Sequence, residues 1–435
     1  GVSRGPVDVE EAKQRRVDEF EAKMSILREA DVICTTTIAS GSDFLHLLKF
    51  QAILIDEVAQ ATELSAIVPV VLRGADRLVL VGDHCQLPPS ICSLEAETRG
   101  LSLSIFGRLA AQGIDPFFLD TQFRMHPAIA EFSAQEFYHG KLKTGIDASM
   151  RPPPLGFDWP LDGSGIAFLH VGGFLERKDG ESRINSTEAN VVAEILTSVL
   201  ACQELSILDV GVVSPYSSQV RALRQLLRRE LPQRLKGTGV DLTGGLEGRR
   251  AARALEIASV DAFQGREKEL IVFSAVRSNP HGSVGFLADW RRLNVMITRA
   301  RRGLIIVGNT DTLRGDPTWA RWLQWAEESG LILQWTQGGM DVPMQRVQAQ
   351  PAVSGTLRHV QQPGFDLGQS AFAGSDPWGV GGGSHSELDE AEANAASAHQ
   401  AFADLRMDAG SFDEGPGAQP SLAAQGSWPL VPRFG

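Results

Sequence analysis

The sequence lacks the marks of several protein classes. No run among its 435 residues reaches the ~18–20 apolar residues that a membrane-crossing helix needs. No apolar stretch near the N-terminus has the form of a signal peptide. The four cysteines, Cys34, Cys85, Cys92 and Cys202, form no Cys-x-x-Cys pair. A structural zinc or a disulfide framework is therefore not expected, and a reducing compartment fits better. No repeat of about 20–50 residues is visible. No basic run reads as a nuclear-localisation signal, so cytoplasm and nucleus both stay open. Hydrophobic residues at 43% and charged residues at 22% exclude a collagen-like or wholly disordered chain. The net charge of -12 argues against a protein that simply coats nucleic acid, but leaves room for a local basic groove.

Charge and composition shift along the chain. Residues 337–435 carry 4 Arg, no Lys and 11 Asp+Glu, with 15 Gly and 8 Pro. Such a segment buries too little apolar surface to offset the entropy of ordering it. Residues 336–435 read as a disordered acidic tail, in which Glu387–Met407 is rich enough in Ala and Glu for a transient helix. A spacer is the plain reading of the tail, and a motif for a partner protein is the alternative.

The rest has the pattern of an α/β protein. Val9–Ala30 is charged, with Val17, Phe20, Met24 and Leu27 at helical spacing. Short apolar runs then read as buried parallel strands: Asp31–Cys34, Ala52–Ile55, Leu78–Val81, Phe117–Leu119, Ala167–Val171, Val210–Val213, Ile257–Val260, Leu270–Ala275 and Leu304–Val307. Helical patterns such as Thr187–Leu200 and Ser217–Glu230 lie between several of them. Alternation over ~300 residues is too much for one doubly wound sheet, so two are expected.

Five segments carry chemistry. In Ile53-Leu-Ile-Asp-Glu-Val-Ala-Gln60 an apolar strand ends in two acids. Side chains at the carboxyl end of a parallel strand face the ligand crevice. An Asp there can hold Mg²⁺ and a Glu can polarise water, although a solvated turn has the same spelling. Leu78-Val-Leu-Val-Gly-Asp-His-Cys-Gln-Leu-Pro-Pro89 repeats the strand-to-acid pattern and adds Gln86, which could sense a phosphate. In Leu119-Asp-Thr-Gln-Phe-Arg-Met-His-Pro127, Arg124 precedes a helix that starts near Pro127, and its guanidinium fork suits a phosphate. His126 reads as a packing residue at the helix start. Ala258-Ser-Val-Asp-Ala-Phe-Gln-Gly-Arg-Glu267 is the fourth segment. Arg291-Arg-Leu-Asn-Val-Met-Ile-Thr-Arg-Ala-Arg-Arg-Gly303 is the fifth; Arg299 and Arg302, three apart, would share a helix face. Surface charge is the bland reading of each of these arginines.

Each segment alone is ordinary, but their order is not. Taken together they resemble the superfamily 1 helicases, and within them the 5′-to-3′ group typified by the nonsense-mediated-decay RNA helicase. Ala30-Asp-Val-Ile-Cys-Thr-Thr and Ser214-Pro-Tyr-Ser-Ser-Gln219 add softer matches, so the resemblance covers roughly Ala30–Asn309. It implies a monomeric ATP-dependent helicase or translocase on single-stranded nucleic acid, with RNA favoured over DNA. It also implies two RecA-like parallel-sheet domains: a stalk-like helix over 1–29, the rear part of the first domain over 30–115 and the second domain over 116–335. ATP and Mg²⁺ would be used. Asp56 would hold Mg²⁺ and Glu57 would activate the hydrolytic water. Gln60 and Gln86 would sense the γ-phosphate, and Arg124 would contact it. Gln264 and Gly265 would shape the cleft, and Glu267 would accept from the ribose. Arg299 would be the arginine finger, with Arg302 beside it at the nucleotide. Thr35, Thr36, Pro89, Ser214 and Tyr216 would touch the strand. The basic stretch Arg228–Arg253 could border the strand's path or be a solvated insertion.

The chain departs from the family in one respect. No Gly-x-x-x-x-Gly-Lys-Ser/Thr phosphate loop, the Walker A motif, occurs in the sequence. Only 55 residues precede Asp56, and the first is Gly rather than Met. We expect the C-terminal part of a longer helicase, inactive or nearly so by itself. The alternative is a non-catalytic nucleic-acid- or protein-binding module derived from the same fold.

Overall fold

The computed structural model describes residues 6–173, 175–240, 254–336 and 345–346. The arginines Arg249, Arg250 and Arg253, the Gly-rich loop before them and the Glu387–Met407 segment lie outside the described residues, as does nearly all of the tail.

Helix α1 (Pro6–Glu29) occupies the segment expected to be helical. Its Met24 is buried and its Phe20 ring lies 5.0 Å from that of Phe44. Strand β1 (Ala52–Ile55), helix α2 (Glu63–Arg73) and strand β2 (Arg77–Leu80) follow. β1 and β2 pair in parallel, with Ile53 opposite Leu78 and Ile55 opposite Leu80. The Thr62 hydroxyl caps α2 by accepting from the Ser65 N–H at 3.3 Å. Helix α3 (Ile105–Ala111) is tied to α2 by Arg108 and Glu63, 2.6 Å apart. The core of this small unit is Ile55, Val58, Ala66 and Ile105. Leu54, Leu78 and Val79 remain exposed on the strands themselves.

The second sheet is larger. Its strands are β3 (Ile166–His170), β4 (Val210–Val213), β5 (Glu256–Ala258), β6 (Lys268–Ser274), β7 (Ala300–Gly308), β8 (Ile332–Gln334) and β9 (Gln345–Arg346). They lie in the order β9-β8-β3-β7-β6-β4-β5, with only β9 antiparallel to its neighbour. The six parallel strands are apolar on both faces, as a sheet covered by helices on each side must be. Ile166, Phe168, Ile271, Phe273, Leu304 and Ile306 face one core. Ala167, Leu169, Leu270, Val272, Ile305 and Val307 face the other. On the first face lie helices α4 (Pro127–Glu136), α7 (Trp290–Ile297) and α8 (Pro317–Glu328); on the second lie α5 (Ser186–Ala201) and α6 (Ser217–Arg234). Pro127 opens α4, and the buried His126 caps it, its Nδ1 accepting from the Ala128 N–H at 3.1 Å. His126 is thus the packing residue its position suggested.

Two expected strands are absent. Asp31–Cys34 and Phe117–Leu119 have strand composition but no strand conformation, and Val32, Phe117 and Leu119 are exposed. A strand is stabilised by its neighbours, and neither segment has one among the described residues. The apolar core also divides unequally, with a cluster of four buried residues in the small unit against more than twenty on each face of the large sheet. Amide hydrogen exchange is accordingly expected to run faster in residues 30–115 than in 116–335. Equal protection would contradict this reading of the two cores.

Candidate functional site

The carboxyl ends of β1 and β2 place two acidic loops side by side. Their backbones interlock: the Val58 N–H donates to the Val81 carbonyl and the Val81 N–H to the Ile55 carbonyl, each at 2.9 Å. Gly82 permits this approach, because a Cβ there would lie 2.9 Å from the Ala59 backbone nitrogen. Glu57 sits at φ 52, a left-handed conformation in which non-glycine residues are uncommon. Its N–H donates to Asp56 Oδ1 at 2.9 Å, and its carboxylate accepts from Gln60 Nε2 at 2.6 Å. Both Asp56 and Glu57 are exposed.

The second loop meets the large-sheet unit. Cys85 and Leu87 are buried in its core, beside Met125 and Ile129. Gln86 stands at the junction. Its Nε2 donates to Asp83 Oδ2 at 2.9 Å, while its Oε1 lies 3.4 Å from Arg299 Nη2 and 3.5 Å from Gln264 Nε2.

Arg299 is buried and meets no carboxylate within bonding distance among the described residues. Its guanidinium donates to the Val295 carbonyl at 2.8 Å and to the Thr298 hydroxyl at 2.9 Å. Burial, reinforced by the nearby charge of Arg124, pushes its pKa down to about 10, against the pull of Glu57. It remains a cation at neutral pH, desolvated and without an anion of its own. Arg124 in turn forms an ion pair with Glu267 and donates to the Thr298 carbonyl at 3.0 Å. Gly265 adopts φ 74, with open space where a side chain would project. The ensemble is a set of cations and amides facing two carboxylates across a junction, an arrangement fit to receive a polyanion with its counter-cation.

Two family models, both described as an AAA domain (AAA_11 and AAA_12), match residues 7–94 and 101–311. The Drosophila melanogaster protein "Regulator of nonsense transcripts 1 homolog" is 40% identical over 331 residues, 76% of this chain and 27% of that protein. "ATP-dependent helicase upf1" of Schizosaccharomyces pombe is 36% identical over 332 residues, 76% of this chain and 34% of that protein. "ATP-dependent helicase NAM7" of Saccharomyces cerevisiae is 36% identical over 334 residues, 76% of this chain and 33% of that protein. This chain belongs to the superfamily 1 helicases. It spans about a quarter to a third of the length of these relatives.

Several helicase-motif residues fall where the motif order had not placed them. Arg302 does not share a helix face with Arg299. Helix α7 ends at Ile297, Arg299 lies in the turn, and Arg302 is in β7. Its guanidinium donates to the Pro152 carbonyl at 2.6 Å and pairs with Glu204, so it fastens a surface loop instead of facing the junction. Arg124 and Glu267, expected to take separate parts of a nucleotide, are bound to each other. Thr35 and Thr36 are exposed, the latter accepting from the Ala39 N–H at 3.2 Å. Pro89, Ser214 and Tyr216 are buried. The Tyr216 hydroxyl accepts from Arg277 Nη1 at 3.1 Å, whereas the Ser214 hydroxyl has no protein partner.

The metal-binding potential of the two loops differs. Asp83, His84 and Cys85 lie close enough to share an ion. Both Asp83 oxygens are nevertheless already accepting, from the Cys85 N–H and from Gln86 and Tyr138. Burial also pushes the Cys85 thiol up to about 12, which disfavours the thiolate a metal needs. Asp56 suits Mg²⁺ better: an exposed carboxylate that spends one oxygen on a backbone N–H leaves the other for an ion that keeps most of its water.

Proposed function

We propose that this chain forms the rear of an ATP-dependent helicase engine that moves along single-stranded nucleic acid, RNA in preference to DNA. Residues 30–115 belong to its first RecA-like domain and 116–335 make up the second. The observation that carries the proposal is the desolvated Arg299 cation with no anion of its own, facing Gln86 and the Glu57 carboxylate. A γ-phosphate is the polyanion that such a pair of cation and general base is built to meet. The names of the relatives, which speak of nonsense transcripts, favour RNA.

In this reading Glu57 takes a proton from the attacking water, and its left-handed backbone aims the carboxylate off the end of β1. Mg²⁺, held at Asp56, would neutralise charge on the phosphate oxygens. Gln60 and Gln86 would orient around the terminal phosphate. Arg299 would offset charge that develops on the transferred group, and Arg124 would leave Glu267 to join it. Gln264 and Gly265 would border the cleft. Because Glu57 and Arg299 come from different sheets, hydrolysis would need both units closed on the nucleotide, and cycles of closure would move the strand. Thr35 and Thr36, both exposed, would meet that strand from solvent. Pro89, Ser214 and Tyr216 would do so only after rearrangement. We further propose that a monomer suffices.

The 435 residues contain no phosphate loop, so the 435-residue chain is expected to release no phosphate from ATP above background, with or without single-stranded RNA. A longer form that carries the loop is expected to turn over in a strand-stimulated manner. Robust turnover by the 435-residue chain would defeat the proposal that catalysis needs that loop. Strand binding without turnover in both forms would favour a binding module. Running RNA and DNA in parallel decides between the two strands.

A further inference from the structure

The loop that carries Gln86 is fastened at its root by Tyr138 and Asn294, to which the motif reading gave no role. The Tyr138 hydroxyl, two residues beyond α4, donates to Asp83 Oδ2 at 2.6 Å and accepts from Asn294 Nδ2 at 3.2 Å. The same Asn294 amide donates to the Cys85 carbonyl at 2.8 Å. Asn294 is fully buried on α7, and its own carbonyl accepts from the Ser133 hydroxyl at 2.6 Å, so its orientation is fixed by α4. Cys85 Sγ donates to the Phe137 carbonyl at 3.4 Å. Three bonds thus join the large-sheet unit to two residues of the loop after β2, Asp83 and Cys85. Asp83 uses its second oxygen for both Tyr138 and Gln86, so the tyrosine fixes the acceptor that in turn holds Gln86 facing Arg299.

We propose that Tyr138 and Asn294 are positioning residues that form an interdomain latch, locking the Asp83–Leu87 loop so that Gln86 stays aimed at Arg299. The latch as a contact stands on geometry alone; its value to phosphate sensing rests on the function proposed above. A hydroxyl-to-carboxylate bond in a partly desolvated place is among the stronger hydrogen bonds, and its loss should populate the open loop about ten- to a hundredfold more.

Cys85 reports that opening directly. It is buried under the latch, whereas Cys34, Cys92 and Cys202 are exposed and serve as internal standards in the same molecule. Alkylation of the 435-residue chain by iodoacetamide, without nucleotide or strand, is followed at each cysteine by mass spectrometry. Tyr138→Phe keeps the ring and removes only the hydroxyl. Cys85 is expected to label about ten- to a hundredfold faster in this variant, with Cys202 unchanged. Asn294→Ala is expected to act in the same direction. If the hydroxyl works through Asp83, the double variant of Tyr138→Phe with Asp83→Ala labels no faster than Asp83→Ala alone, whereas independent structural damage would multiply. Should Asp83→Ala not fold, Asp83→Asn serves in its place: its amide cannot accept at both former oxygens, so it is expected to label faster than wild type, and adding Tyr138→Phe is expected to bring less than a multiplicative increase. Unchanged Cys85 labelling in Tyr138→Phe, or multiplicative effects in the double variants, would overturn the latch. None of these readings depends on ATP turnover, so the latch and the helicase function can fail separately.

Discussion

Arg299→Ala, introduced into a form of the helicase that also carries a phosphate loop, is expected to cut strand-stimulated ATP turnover by about 10³–10⁵-fold. The magnitude is that of an arginine supplied to a phosphoryl group in flight, where a desolvated cation opposes charge that is absent from the ground state. The local structure supports this assignment over a structural one. Arg299 donates to the Val295 carbonyl and the Thr298 hydroxyl, both within its own turn, and reaches across the junction only to Gln86 at 3.4 Å. Truncation therefore removes a buried charge without stranding a partner charge. The melting temperature and the affinity for the strand should stay close to wild type while turnover collapses. Arg299→Lys keeps the charge but not the planar fork, and should recover only part of the rate. Turnover within tenfold of wild type in Arg299→Ala would remove the arginine from the mechanism.

The acidic loops were legible from the order of the five segments, because an apolar run that ends in an acid is ordinary by itself. Ala52–Ile55 runs into Asp56, and Leu78–Val81 runs into Gly82-Asp83; the structure pairs those two strands side by side. The large sheet was legible because the centres of its long strands, Leu270–Phe273 and Leu304–Val307, are apolar at every position. The end of α7 was not legible. Leu293, Val295, Met296 and Ile297 have helical spacing, and the arginines that follow read as its continuation. The Thr298 hydroxyl instead turns back onto the Asn294 carbonyl at 2.8 Å and Arg299 Nε onto that of Val295 at 2.8 Å. With those two last-turn carbonyls satisfied by side chains, the chain leaves the helix and enters β7, and Arg302 goes with the strand.

Contacts between distant segments were also beyond reach. Arg124 and Glu267 meet only through the fold of the large-sheet unit, and Tyr138 and Asp83 only because the two units pack against each other. A trace of the second contact does exist in the sequence. Asn294 is a polar residue inside the apolar run Leu293–Ile297, and a buried amide in such a place needs partners. The two unformed strands have the opposite lesson. Asp31–Cys34 and Phe117–Leu119 have the right composition, but composition supplies only a preference, and the pairing partner supplies the strand.

Between pH 5.5 and 7.5 the stability of the protein should carry a downward component that Glu188→Gln abolishes. Glu188 lies in the first turn of α5 and is fully buried. Its carboxylate accepts from the Ser274 hydroxyl at 2.7 Å, the Val276 N–H at 2.8 Å and the Asn185 amide at 3.1 Å. These bonds hold Val276 at φ 70, a costly conformation for a β-branched residue, between β6 and the buried Arg277. Burial nevertheless outweighs them and pushes the Glu188 pKa up to about 8, with the charge of Glu176 acting in the same direction. The folded chain thus keeps a proton that the unfolded chain loses near pH 4.5. The corresponding stability is complete below that pH and is lost as pH rises through about 8, at up to about 1.4 kcal/mol per unit. His126 and His170, whose pKa values burial lowers, act with the opposite sign at the acidic end. Both histidines are present in the wild type and in Glu188→Gln, so the difference between the two proteins isolates the glutamate. Urea midpoints measured at pH 5.5, 6.5 and 7.5 should diverge, with the wild type losing stability relative to the variant at each step. Parallel curves would mean that Glu188 is ionised in the folded protein, and that its three donors compensate for its burial.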